Sequence, residues 1–152
     1  MTFIAKNVDW GNEQHKLKKI REKVFVCQWR IPAEYEFDHQ DSIAFHVLVV
    51  NEHNQEVATG RITPSGEIGR IAVEPEFRGP EVYQALFNAL LNIARQHGLQ
   101  DVLVQCELEG VNYYQQQGFR PVGTVFMDAG VARQGMLCSL KDFTLERVEL
   151  TH

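Results

Sequence analysis

The chain is short of cysteine, of long apolar runs and of net positive charge, and each shortage removes a class of protein. Its three cysteines, Cys27, Cys106 and Cys138, are odd in number and lack metal-like spacing. That argues against a disulfide-stapled scaffold or a zinc module and fits a reducing compartment. No apolar run approaches the ~20 residues that span a bilayer. The opening residues, Met1 to Asn12, lack the basic region and apolar core of a signal peptide. The expectation is a cytoplasmic protein without a membrane partner. Net charge is −5, whereas a nucleic-acid partner calls for a basic domain. The one cluster of cations, Lys16, Lys18, Lys19, Arg21 and Lys23, is spaced as the wet face of a helix. There is no linker, repeat or low-complexity tract; Gln115-Gln116-Gln117 is too short to be one.

What is present is enough for one domain. A chain of 152 residues can bury roughly two-thirds of its unfolded surface without staples. Its 44% hydrophobic and 23% charged residues are ordinary for a soluble globular protein. The stretch Glu67 to Phe119 organises it. Ile68 to Val73 is a short β-branched apolar run and predicts a strand that Glu74-Pro75 ends. After the loop Glu76 to Glu81, Val82, Leu86, Ala89, Leu90, Ile93 and Ala94 recur at helical spacing, and His97-Gly98 closes the helix. Leu99 to Cys106 predicts a second strand, parallel to the first, because a crossover of this length joins parallel neighbours. At the helix start, Arg78-Gly79 stands where unpaired N–H groups and the helix dipole would meet an anion, although the pair could equally serve the turn alone.

Around this unit the pattern predicts a strand or arm at Phe3 to Trp10 and a helix from about Glu13 to Val26 capped by Asn12, with Leu17, Ile20, Val24 and Phe25 buried. An irregular segment, Val26 to Asp41, follows. Strands are expected at Ile43 to Val50, Glu56 to Thr63, Arg120 to Asp128 and Met136 to Leu140, and a short helix after Gly110. Thr144 to Leu150 reads as a last strand or an irregular extension.

Val73-Glu74-Pro75-Glu76-Phe77-Arg78-Gly79, and then Asn112-Tyr113-Tyr114-Gln115-Gln116-Gln117-Gly118-Phe119, resemble the two core motifs of the GNAT acetyltransferase superfamily. The resemblance extends to small bacterial ElaA-type members through Ile20 to Val26, Ile31-Pro32, Glu36-Phe37-Asp38, Val122-Gly123, Ala129-Gly130-Val131 and Met136. It covers about Ile20 to Leu140. It implies an α/β (α+β) single domain, a GNAT-like mixed twisted sheet with helices on both faces.

The same resemblance implies acetyl-CoA as co-substrate. Its pantetheine arm would lie on the strand Ile71-Ala72-Val73 as an added strand does. Its pyrophosphate would face Arg78, Gly79, Glu81, Val82 and Tyr83, and Asn112 of the second motif joins this carrier set. The acceptor would be a small-molecule or protein amine, for which the acidic balance is a faint bias. Tyr114 stands where many members carry the proton donor to the leaving thiolate, and a phenol titrating at ~10 suits that task. On spacing alone, Tyr113 and Tyr114 would be aromatic packing. Two residues compete as general base. Glu67 shares strand parity with Gly69, Ile71 and Val73, and His46 has a free pKa suited to proton uptake. Arg61 and Arg70 read as ion-pair partners within the fold, Cys106 and Cys138 as small buried hydrophobes. No metal site is expected, and a homodimer is left open.

The phosphate loop departs from the family pattern. Pro80 removes one N–H, while Glu81 and Tyr83 stand where glycines are usual. The Tyr83 ring must swing aside, toward the adenine, or fill the site. Three readings follow: an N-acetyltransferase, an enzyme for another acyl-CoA, or a non-catalytic module whose carrier site has decayed. Cys27, Trp29 and Arg133 also depart from the ElaA-type pattern, so acceptor specificity does not transfer.

Overall fold

The structure is a computed structural model and describes residues 2–24, 39–128 and 130–141. Its elements are β1 (Phe3–Val8), α1 (Trp10–Arg21), a 3-10 turn (His39–Ser42), β2 (Phe45–Asn51), β3 (Glu56–Ile62), β4 (Glu67–Val73), α2 (Pro80–Gln96), β5 (Asp101–Glu107), α3 (Val111–Gln116), β6 (Arg120–Asp128) and β7 (Val131–Ser139), with further 3-10 turns at Pro75–Phe77 and Leu108–Gly110. One sheet runs β1-β2-β3-β4-β5-β7-β6. Among the described strands only β4 and β5 pair in parallel, as a crossover helix between them requires.

The two faces are covered by different helices. Leu17, Ile20 and Val24 pack on Leu48, Val50 and Ala72. On the other face Val82, Leu86, Leu90 and Ala94 of α2 meet Val47, Val49, Ala58, Ile62 and Val73 in the main core. Gly60 lets α2 come close. A Cβ there would lie 3.2 Å from Leu86 Cδ1 and 3.3 Å from Leu90 Cδ1.

Helix α1 begins earlier than its apolar spacing suggests. Asp9, not Asn12, is the cap: its Oδ2 accepts the Asn12 N–H at 3.1 Å. Gly11, a poor helix former, hides the first turn. Arg21 is not on the wet face either. It is 1% exposed, because a buried carboxylate on another element draws it inward. Strand β7 begins five residues before the apolar run that predicts it. Bonding to β5 on one side and β6 on the other overrides the weak alternation of Val131-Ala132-Arg133-Gln134-Gly135. Phe25, Cys27, Trp29, the acidic segment Glu36-Phe37-Asp38 and the stretch Thr144 to Leu150 lie outside the described residues.

A bulge in β4 decides which way its residues face. Arg61 pairs with Gly69 and Thr59 with Ala72, so two residues of β4, Arg70 and Ile71, stand opposite Gly60. Arg70 takes a left-handed φ of 51° to make the extra step, a strained conformation costing ~1 kcal/mol or more. Because cross-strand partners share a face, the strict alternation expected from Glu67 to Val73 fails. Glu67 and Gly69 face the α1 side, as does Ala72, whereas Ile71 and Val73 join the core under α2.

Candidate active site

Beyond the bulge, β4 and β5 part. Their parallel pairing comprises Glu67 with Leu103 and Ile68 with Val104. From Gly69 onward the two strands no longer pair, which opens the sheet there. Glu74 donates its N–H to the Val57 carbonyl at 2.8 Å, and antiparallel bonds fall on alternate residues. Ala72 is therefore the member of Ile71-Ala72-Val73 whose main chain serves β3, while Val73 turns its own groups toward the opening. Arg78 Nε reaches back to the Val73 carbonyl at 3.1 Å.

At the mouth, Gly79 caps α2 in an extended conformation (φ −174°, ψ 168°). Any residue adopts that conformation, and a Cβ at Gly79 would meet no atom within 4 Å. Neither backbone nor packing within the chain calls for glycine there. A ligand approaching the main chain would, so the residues present fit a phosphate group. The donors are fewer than expected. The Tyr83 N–H turns into the helix toward the Gly79 carbonyl at 3.4 Å and leaves the cradle, Pro80 has none, and those of Glu81 and Val82 remain. The Glu81 side chain is exposed, which limits its repulsion of an anion.

The Tyr83 ring lies inward. It is 6% exposed and part of the main core, and burial raises its pKa against the opposing influence of Arg78. It does not stand outside the mouth where an adenine could stack. Tyr114, on α3, is also buried. Its ring meets Tyr113 edge-on at 5.3 Å and Phe119 at 5.2 Å. Burial drives its pKa well above that of a free phenol, with Cys106, Tyr113 and Tyr83 adding to the rise. Among the described residues its hydroxyl has no hydrogen-bond partner. Cys106 lies beneath, its thiol donating to the Gln134 carbonyl at 3.6 Å, and burial keeps it protonated. Cys138 is likewise buried, its thiol donating to the Ser139 carbonyl at 3.2 Å. Asn112 is exposed on α3.

The two candidate bases differ in kind. The Glu67 side chain is half-buried on the α1 side of the sheet, at the point where β4 and β5 begin to part, and makes no hydrogen bond or ion pair to the described residues. His46 is 2% exposed. Its Nε2 lies 2.8 Å from the Asp41 carbonyl; a carbonyl only accepts, so that nitrogen carries the proton. The ring stacks on Trp10 at 5.0 Å. Burial lowers its pKa, aided by Arg21 and Arg61 and opposed by Asp41.

His46 belongs to a buried charge network. Asp41 accepts from Arg21 through both oxygens, at 2.8 and 3.1 Å, and from Arg61 at 2.8 Å. All three side chains are buried. The network joins α1, the His39–Ser42 turn and β3, and the row His46, Arg61, Gly69 carries it to the bulge. Sequence reasoning assigned Arg61 to ion pairing but missed this partner. Asp41 lies 20 residues from each arginine, and the one available signal was a carboxylate beside a segment about to become a strand. Arg70 sits in the bulge itself. Arg133, also expected to matter, ties β7 to β5 through the Gln105 carbonyl at 3.0 Å and faces Asp128 at 3.6 Å.

A mixed sheet that opens at the end of a parallel pair, with a helix N-terminus at the opening and a buried tyrosine on the following short helix, has the form of an acyl-CoA N-acyltransferase. The family model described as "Acetyltransferase (GNAT) domain" matches residues 21–140, and the chain belongs to the GNAT acetyltransferase family, in its ElaA-type branch. ElaA of Escherichia coli K12 is 29% identical over 133 residues, covering 82% of this chain and 86% of that protein. The uncharacterized N-acetyltransferase YjcF of Bacillus subtilis is also 29% identical, over 122 residues, covering 78% and 86%. The crystal structure of E. coli ElaA superimposes with a TM-score of 0.75 at 24% identity, covering 90% of this chain and 99% of that one. An acyl-CoA N-acyltransferase from Pseudomonas aeruginosa gives 0.76 at 22% identity, covering 90% and 98%. These likenesses to solved structures establish the fold. Among the described residues no helix is long and apolar enough to cross a membrane, and no cluster of three or more His, Cys, Asp or Glu could hold a metal.

Proposed function

We propose that this acyltransferase is a cytoplasmic, acetyl-CoA-dependent N-acetyltransferase that acts on a primary amine, of a small molecule or an exposed amino group, by direct attack. The observation that carries the reading is the divergence of β4 from β5 with the Gly79–Val82 helix start at its mouth. Acetyl-CoA supplies an activated acyl carbon and a thiolate leaving group. The amine nitrogen forms its bond to that carbon as the C–S bond breaks, the nitrogen loses one proton, and the sulfur gains one.

Glu67 is the favoured proton acceptor, because its carboxylate is free of partners among the described residues and stands beside the opening. His46 would have to gain charge in a buried site that already holds two guanidinium groups. With Glu67→Gln the acidic limb of the pH–rate profile should shift and turnover should fall by roughly a hundredfold or more, the range of general-base catalysis. His46→Gln should leave that limb in place. If His46→Gln alone moves it, the roles are reversed.

Calorimetric titration with acetyl-CoA and CoA tests the reading as a whole. Wild type should bind both. Arg78→Ala should weaken acetyl-CoA by about 1 kcal/mol or more, several-fold in dissociation constant, through lost charge-assisted bonds. Tyr83→Phe should leave binding nearly unchanged, since the phenol faces the interior. The buried Tyr83 ring is also the observation that favours a decayed, non-catalytic module. If wild type and Tyr83→Phe both fail to bind while Tyr83→Ala binds, that module is the answer.

A further inference from the structure

We propose that the cleft between the start of α1 and the end of α2 is a second binding site, which takes a small neutral aromatic molecule through an N–H or O–H donor. The cleft has a volume of about 430 Å3, within the range of small-molecule sites. It lies away from the opening between β4 and β5. Gln96 and His97, at its wall, end the helix whose other end stands at the carrier mouth. That helix has 17 residues, which span roughly 25 Å.

The walls are apolar and hold their shape. Val8, Trp10, Ile43, Phe45 and Ile93 line the cleft, and Ile43 is 58% exposed, so a ligand there would cover a large apolar side chain. Two ring pairs stiffen the walls. Trp10 stacks on His46 at 5.0 Å, and Phe45 stacks on His97 at 4.2 Å. A wall already ordered spares a ligand the entropy of ordering it. The polar residues of the rim, among them Asn7, Asp9 and Gln96, are exposed.

His46 sets what the ligand must offer. It lines the cleft and is 2% exposed. Its Nε2 gives its proton to the Asp41 carbonyl at 2.8 Å, so Nδ1 carries a lone pair and no hydrogen. Nδ1 makes no hydrogen bond to the described residues. A donor entering the cleft would pair it, and buried polar atoms are ordinarily paired. The surrounding charges narrow the donor further. An anion has no hydrogen to give. A cation would meet the positive balance behind His46, where Arg21 and Arg61 share the single carboxylate of Asp41. Lys18 Nζ and Arg21 Cζ also stand 5.5 and 5.6 Å from the Trp10 ring centre. Asp9, the carboxylate of the rim, is committed to capping α1. A neutral donor on a flat apolar body, as in an indole or a phenol, meets all of these terms.

Calorimetric titration of the full chain with indole and with benzofuran tests the site. Benzofuran keeps the shape of indole and replaces its N–H by an oxygen. Indole should bind, and benzofuran should bind about tenfold more weakly or not at all, because it leaves Nδ1 facing an acceptor. Gln96→Trp, on the exposed rim and away from the buried network, should fill the cleft and weaken indole by about tenfold. His46→Phe should remove the preference for indole over benzofuran; where that variant does not fold, Gln96→Trp carries the test. Saturation with acetyl-CoA should change the indole affinity by less than about twofold, since the two sites are roughly a helix length apart. No binding of indole at millimolar concentration overturns the proposal. So does equal affinity for indole and benzofuran, or indole binding that Gln96→Trp leaves untouched. Displacement of indole by acetyl-CoA would place it in the β4–β5 opening and would equally overturn it.

Discussion

Replacing Asp41 by alanine should cost about 3–5 kcal/mol of folding stability, the largest loss expected from any single polar substitution in the described residues. The carboxylate bridges two guanidinium groups, taking both of its oxygens to Arg21 and one to Arg61. Removing it takes away the carboxylate that both buried guanidinium groups share, and like charges in a poorly solvated site repel strongly. An asparagine in its place would keep one acceptor but no charge, so Asp41→Asn should lose less than Asp41→Ala while remaining clearly destabilised. Urea unfolding followed by fluorescence measures this, since Trp10 stacks on His46 at the edge of the network. The m-value should stay constant if the variants still fold to the same compact state. Asp128→Ala is the control: its contact with Arg133 is 3.6 Å long and half-exposed, and should be worth well under ~1 kcal/mol. A loss below about 1 kcal/mol for Asp41→Ala would mean that the arginines are held by other groups.

The network also carries a pH dependence. His46 is held neutral by burial, and its pKa in the folded chain lies below the unfolded value of ~6.5. The unfolded chain therefore binds the proton first as pH falls. His46 contributes its full share of stability above about pH 6.5 and loses it as pH drops from there toward the lowered folded value.

How far the sequence could be read follows from the range of each signal. The crossover unit was legible because its signals are local: a β-branched run, an apolar stripe at helical spacing and a Gly stop in one continuous stretch. Tyr114 became a candidate only through its place in the second motif, since its spacing alone reads as aromatic packing. The face of Glu67 was not. Strand parity assumes unbroken alternation, and the bulge that breaks it places Arg70, not a glycine, at the positive φ. No residue type announced it. Arg21 was hidden by its neighbours, since the nearby lysines made its helix face read as solvated, whereas a partner 20 residues away had drawn it inside. The cap of α1 was misplaced because Asp9 and Asn12 are both good caps and Gly11 weakens the turn between them. The direction of the Tyr83 ring depends on the room available between α2 and α3, a tertiary property that spacing along one helix does not contain.

Tyr114→Phe should lower turnover by roughly ten- to a thousandfold while leaving the affinity for acetyl-CoA nearly intact. The substitution removes one oxygen and keeps the ring that packs against Tyr113 and Phe119. That hydroxyl has no partner among the described residues, so its loss should leave folding unchanged or slightly favoured at neutral pH. Any fall in rate then reports chemistry and not damage. Burial sets how the group can act. With its pKa pushed well above that of a free phenol, Tyr114 is fully protonated throughout the neutral range and always ready to donate. A phenol is already a weaker acid than a free thiol, which titrates at ~8.5, and the shift widens the gap. It would therefore yield its proton only as negative charge builds on the departing sulfur, in concert with C–S cleavage. The raised pKa has a second signature. The unfolded chain ionises this phenol at ~10 and the folded chain only at higher pH, so its contribution to stability is complete below about pH 10 and is lost as pH rises beyond it. Wild type should lose stability more steeply than Tyr114→Phe in that alkaline range, a difference measurable by urea unfolding without any substrate. A variant with wild-type turnover would return Tyr114 to aromatic packing. A variant with lost turnover and lost acetyl-CoA binding would make it part of the carrier site.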